Sequence, residues 1–306
     1  MSQADLPRDQ LTAQQQALIA SYEGLSPAAQ ANLAEILRSE SYILAERDTA
    51  LLARPELRPV RLQLELLKPE MALAADNVES TIVVFGSTQL IEPAAAQRRL
   101  AAAEQALAET PNDPTRQRHV ARCQRLAANS SYYDDAREFA RLVSSEAQQP
   151  SARQFVVVTG GGPGIMEAAN RGAFDVGAKS IGFNITLPHE QHPNPYITPE
   201  LCFQFHYFAL RKMHFLMRAK ALVVFPGGFG TLDELFDSLT LRQTKRMQQI
   251  PIIMYGREYW RHVVNFQFLA DEGTIADNDL ALINYADSPQ ETWELILGFH
   301  HSAAGP

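Results

Sequence analysis

The sequence predicts an α/β chain built on a doubly wound parallel sheet. Compact runs rich in Val and Ile ("STIVVFG", "QFVVVTG", "ALVVFPGG", "PIIMYG") recur between residues 79 and 256, and segments of helical periodicity separate them. Strands buried on both faces read as continuous apolar runs, and strand–helix–strand repeats imply right-handed crossovers. Glycines follow several of these runs, at the carboxyl ends of strands where open α/β sheets bind their ligands.

The elements follow in order. From Leu11 to about Ala75 apolar residues recur at helical steps, as in Leu18, Ile19 and Tyr22, then Leu33, Ile36 and Leu37. Ser26 reads as an N-cap with Pro27 at the first helical position. "RPVRLQLELLKPE" has Leu at alternate positions, which would suit a strand, but its overall period favours a helix. Residues 1–78 are therefore expected to form an N-terminal helical extension, and residues 79–306 a Rossmann-like nucleotide-binding domain.

"STIVVFGSTQ" starts that domain with a strand ending in Gly86 and Ser87. An Ala-rich stretch over residues 93–128, broken by "TPNDPT", reads as an inserted helical hairpin for packing or assembly. "YYDDAREFARLVSSEA" then forms an amphipathic helix covering the sheet. Beyond it come "QFVVVTG", a helix from about Ile165, "KSIGFNITL", a helix around Phe208 to Ala219, and "ALVVFPGG". A helix from Thr231, "PIIMYG", a helix from about Glu258, "LALINYA" and a last helix in "SPQETWELILGF" complete the alternation.

Composition narrows the function. The 306 residues are 46% hydrophobic and 20% charged, an ordinary globular balance. A net charge of −8 with no dense Lys/Arg block argues against nucleic acid as a partner and favours small molecules. Cys123 and Cys202 lack disulfide-framework or zinc spacing. The amino terminus has no signal-peptide pattern and no run is long enough to span a membrane, so a cytoplasmic location is expected.

Two Gly-rich turns carry the candidate chemistry. "TGGGPGIMEAANRGA" places Gly160, Gly161, Gly162 and Gly164 between a strand and a helix, where backbone approaches a ligand closely and helix N–H groups meet an anion. The alternative is a tight turn with no ligand. It is not the first-strand dinucleotide fingerprint, so a nicotinamide cofactor is not implied. "PGGFGTLDE" repeats the arrangement with Gly227, Gly228, Gly230 and Thr231, and no following Lys makes it a P-loop. Together the turns suggest a nucleoside monophosphate in the crevice between them. Asp233 and Glu234 follow directly; partnership with the helix dipole would account for such acids without chemistry.

Upstream, "FHYFALRKMHFLMRAK" carries Arg211 and Lys212 on a helix with Phe208, Phe215 and Leu216 as expected core. The basic pair either snorkels to solvent or faces the crevice. Twenty-three residues separate Arg211 from Glu234, enough to bring both to one crevice through a helix and a strand. His189, His192, His206 and His214 match no metal-ligand pattern. Phe203, Phe205, Tyr207 and Phe208 read as core, with a base-stacking wall as the alternative.

"GGGPGIMEAANRGA", "RKM" and "PGGFGTLDE", in this order and spacing, resemble the Lonely Guy (LOG) family of cytokinin riboside 5′-monophosphate phosphoribohydrolases over roughly Ser80 to Phe299. "HEQHPNPYITPEL" and "FHYFALRKM" are similar to its longer bacterial branch. The resemblance implies hydrolysis of the N-glycosidic bond of AMP or an N6-substituted adenine nucleotide, giving free base and ribose 5-phosphate without metal or redox cofactor. It also implies a homodimer or higher homo-oligomer. Arg211 and Glu234 match the family's essential pair, and Lys212 accompanies the Arg. Gly228, Gly230 and Thr231 match its phosphate loop, while Thr240 and Glu190 match substrate-contacting positions. Gln89 stands where that branch has Arg in "FGSAR".

Glycosidic cleavage builds positive charge on the ribose, which a carboxylate at Glu234 can stabilise while orienting or deprotonating water. Arg211 is left with two readings, phosphate binding or polarising the departing base. Many relatives carry the label lysine decarboxylase, but Lys212 beside Arg211 makes a poor Schiff-base lysine. The competing functional reading is a non-catalytic nucleotide sensor or a carrier of molybdenum-cofactor type on the same fold; it needs anion contacts but no carboxylate at the sugar.

Overall fold

A computed structural model describes residues 12–149, 151–187 and 192–303. The chain divides into two compact units, Met1–Leu64 and Glu65–Pro306. In the first, α1 (Ala13–Ser21) opens with a capping box between Thr12 and Gln15, and α2 (Pro27–Arg38) with the Ser26 hydroxyl accepting from the Ala29 amide. α3 (Thr49–Ala53) is capped by Asp48. No described residue before Glu65 is fully buried, so this unit has no hydrophobic core of its own among the described residues.

α4 (Arg58–Ala75) is the helix the period favoured. Its second half belongs to the larger unit, with Pro69 and Leu73 buried there. Compactness therefore divides the chain earlier than the change of sequence texture near residue 78, because a helix that looks continuous with the extension also supplies the sheet domain with core.

Seven parallel strands form the sheet: β1 (Thr81–Phe85), β2 (Val156–Thr159), β3 (Ser180–Ile185), β4 (Cys202–Phe205), β5 (Ala219–Val224), β6 (Ile252–Tyr255) and β7 (Ile283–Ala286). Their spatial order is β4-β3-β2-β1-β5-β6-β7. The chain works outward from β1 to one edge and then crosses to β5 on its other side, so the order reverses between β1 and β5. Ligand crevices of doubly wound sheets lie at that reversal.

Alternation within β1 shows why both faces are covered. Ile82 and Val84 pack in one core with Tyr133, Phe139 and Ile165; Val83 and Phe85 pack in the other with Phe215, Leu235 and Trp260. The first core is closed by α7 (Ser131–Ala147), α8 (Ile165–Asp175) and α13 (Pro289–Ala303), the second by α9 (Phe208–Met217), α10 (Phe229–Gln243) and α11 (Arg257–Val263). α12 (Phe266–Asp271) adds Phe266 to the second core. The strand β4 has no counterpart in the sequence reading: Phe203 and Phe205 are buried as expected, but as alternate residues of an edge strand.

The inserted hairpin consists of α5 (Pro93–Glu109) and α6 (Pro114–Ala128), joined by a turn in which Asp113 caps α6. Ala103, Val120 and Cys123 form its small core.

Candidate active site

α9 is held by α4 rather than by a cap of its own. The Glu65 carboxylate accepts hydrogen bonds from the amides of His206 (2.8 Å) and Tyr207 (3.2 Å), neutralising free donors at the start of α9. Farther along, Arg218 Nη2 donates to Glu70 Oε2 at 2.6 Å, and His214, its pKa lowered by burial, has Nε2 3.2 Å from the Glu65 carbonyl. Because the hydrogen bonds at Glu65 are charge-assisted, Glu65→Ala is expected to lower stability by about 1–3 kcal/mol. Thermal unfolding of the variant beside wild type measures it.

This helix aims Arg211 at α10. Arg211 is largely buried, with its guanidinium 5.6 Å from the Phe208 ring centroid and 5.5 Å from that of Phe215. Its Nη2 lies 3.9 Å from Glu234 Oε1, an ion-pair distance too long for a hydrogen bond, and its buried Nε has no partner. Phe208 itself is 51% exposed, so of the four aromatics in that cluster it is one that can meet a ligand.

Glu234 is 7% exposed. Burial pushes its pKa up to about 7 against the attraction of Lys212 and Arg211, with Asp233 and Asp237 adding to the rise. The group therefore exchanges its proton near neutrality, which suits a general base. Lys212 also reaches α10, with Asp233 at 2.8 Å and Asp237 at 3.8 Å, and ties α9 to it. Asp233 is thus an ion-pair partner. α10 begins at Phe229, two residues before the expected start, which puts Asp233 and Glu234 beyond the first turn, where the dipole acts most strongly.

The two glycine turns differ. In the first, Gly164 has φ of 72°, and a Cβ there would lie 2.3 Å from the Ser87 carbonyl oxygen; that carbonyl accepts from the Ile165 amide at 3.1 Å. Asn194 Nδ2 donates to the carbonyls of Gly161 (3.2 Å) and Gly162 (3.1 Å), while the Gly161 amide donates to Thr159 Oγ1. The glycines of this turn are buried, and the Gly161 and Gly162 carbonyls and the Gly161 amide are committed to the protein. Gly160 approaches the site, since a Cβ there would stand 3.9 Å from Arg211 Nη2.

The second turn is open. Gly228 and Gly230 are exposed and face empty space, and no side chain caps the start of α10. Gly227 packs so closely on Thr231 that a Cβ would lie 2.1 Å from Thr231 Oγ1, and the Tyr259 hydroxyl donates to the Gly227 carbonyl at 2.8 Å. The Pro226 carbonyl takes the Ser87 amide at 2.9 Å, joining the β1 loop to this turn. Gly86 lies against Ile165.

The structure brings together Arg211, Glu234, Lys212, Gly160 and the turn at Gly227–Thr231. Thr240 stands apart: it is exposed, six residues beyond Glu234, and its hydroxyl donates to the Phe236 carbonyl at 2.8 Å. Glu190 and His189 lie outside the described residues. Glu65, Tyr259 and Asn194 were missed in the sequence, since side chains that brace backbone across long separations leave no periodic signal. Among the described residues no group of His, Cys, Asp and Glu has the arrangement of a metal site, and no helix is long and apolar enough to cross a membrane.

A family model described as "Possible lysine decarboxylase" matches residues 166–296. That stretch holds Arg211, Lys212 and the whole "PGGFGTLDE" turn. The match covers less than half of the chain. The X-ray structure of TM1055, a structural genomics target, is similar at 18% identity and a TM-score of 0.41, with 72% of this chain and 99% of that chain covered. Comparison with curated proteins gives no match. The matched stretch starts just after the first glycine turn, so the turn it contains is the open one on α10.

Proposed function

We propose that this protein hydrolyses the N-glycosidic bond of a nucleoside 5′-monophosphate, AMP or an N6-substituted adenine nucleotide. The observation that carries the reading is Glu234: a buried carboxylate with its pKa near 7, beside a buried arginine and one turn inside an open helix N-terminus. The 5′-phosphate sits against the free amides at the start of α10, where backbone donors and the helix dipole favour an anion. One helical turn is about 5.4 Å, which sets the ribose over Glu234.

In the step itself, water adds to C1′ as the C1′–N bond breaks and its electrons pass to the base. Glu234 stabilises the cationic sugar and takes the proton from water; the departing base takes up a proton from solvent, and Glu234 returns its own to solvent to complete the turnover. Arg211 supplies a fixed positive charge beside the reacting centre. The expected result of incubating the protein with a panel of nucleoside 5′-monophosphates is release of free base and ribose 5-phosphate from an adenine nucleotide. If nucleotides bind and none is cleaved, the protein is a binding module and the reading fails.

A further inference from the structure

A cavity of about 530 Å³, not lined by Glu234, opens beside the turn before α10, between the inserted hairpin and the loops after β1 and β5. Arg99 of α5 and His119, Arg122 and Arg125 of α6 line it, facing Ser87 and Gly228. No carboxylate lines it. Among the described residues, none of the three arginines forms an ion pair, in contrast to Arg116 of the same hairpin, which pairs with Glu109 and Asp113. Six arginines against three acids make the hairpin basic within a chain of net charge −8. Unpaired positive charge facing one cavity in an acidic protein is the electrostatic footprint of an anionic ligand.

We propose that this cavity is a second anion subsite, which takes phosphoryl groups beyond the one seated on α10, so that the ligand class of the site includes nucleoside diphosphates and longer oligophosphates. The inference rests on the reading of α10 as the 5′-phosphate seat. Gly227 and Gly228, the residues just before α10, line the cavity, so a phosphate seated on that helix start lies at the cavity's edge. The volume lies within the usual range for small-ligand sites, about 300–1,000 Å³. Arg99 Nη1 donates to Gln89 Oε1 at 3.2 Å, so the hairpin brings a cation to a β1 loop that has no basic residue of its own. Guanidinium forks match phosphate oxygens in pairs, and three of them around one opening favour a chain of phosphates over a single one.

Calorimetric titration with phosphate, pyrophosphate, AMP and ADP tests this. Pyrophosphate is expected to bind at least tenfold more tightly than phosphate, and ADP at least tenfold more tightly than AMP. Both differences should disappear in the double variant Arg122→Ser, Arg125→Ser and persist in Arg118→Ser, an equal charge change per site on an exposed arginine that does not line the cavity. Thermal unfolding of each variant checks that the hairpin is intact. Equal affinity for ADP and AMP, absence of pyrophosphate binding, or an equal loss in Arg118→Ser would overturn the proposal. Hydrolysis of AMP by the wild-type chain, followed in parallel, reports on the glycosidase reading alone, because pyrophosphate carries no glycosidic bond.

Discussion

At pH 8 the Glu234→Gln variant is expected to be more stable than the wild-type chain, and near pH 4.5 that advantage should be almost gone. Burial raises the Glu234 pKa from the ordinary carboxylate value of 4.5 to about 7, so the folded protein prefers the neutral acid. The resulting stabilisation is complete below the unfolded-state pKa and is lost as pH rises through the folded-state value. Between those limits ionisation costs the folded state about 3 kcal/mol. Glutamine keeps the shape and cannot ionise, so the difference in melting temperature between variant and wild type should grow through this window. The same substitution should lower the rate of base release by roughly 10²–10⁴-fold if Glu234 is the general base. Wild-type activity should then rise with pH to a midpoint near 7, while residual activity of the variant stays flat. A stability difference between variant and wild type no larger at pH 8 than at pH 4.5 would show that Glu234 ionises normally, removing the main support for its assigned role.

The alternation of elements, both glycine turns and the Arg211–Glu234 pairing were legible in the sequence because each rests on local pattern: apolar runs, glycine clusters, and a separation that a helix and a strand can span. The inequality of the turns was not. "TGGGPG" and "PGGFG" look alike, and only the packed fold shows Asn194 and the Ser87 carbonyl occupying the first while the second stays open. Thr240, six residues beyond Glu234, is exposed and its hydroxyl donates to the Phe236 carbonyl within α10, a local bond that position in a motif does not reveal. The hairpin was legible as two helices but not as a cation source. His119, Arg122 and Arg125 of α6 all line the cavity, and such basic residues on a helix read as ordinary solvation until a cavity is found beneath them.

Replacing Arg211 with Gln should lower kcat for nucleotide cleavage by roughly 10²–10³-fold, the cost typical of losing one fixed transition-state donor. It should also move the midpoint of the pH profile upward. Arg211 is one of the two cations that hold the Glu234 pKa down against burial, Lys212 being the other, and removing it leaves burial less opposed. Burial lowers the pKa of Arg211 itself, yet a guanidinium stays charged at any pH where the protein is folded. Its position between the Phe208 and Phe215 rings, with Nε buried and unpartnered, leaves a donor to be filled when ligand arrives. An unfilled buried donor costs about 1–3 kcal/mol, and a ligand that satisfies it recovers that energy. With the phosphate seated on the open amides of α10, as proposed, KM should change by less than tenfold; a large rise in KM with kcat preserved would instead make Arg211 a phosphate ligand. Arg211→Lys separates charge from shape: it should keep the pH midpoint near that of wild type while losing rate, because an ammonium reproduces the field at Glu234 but not the planar fork between two aromatic rings.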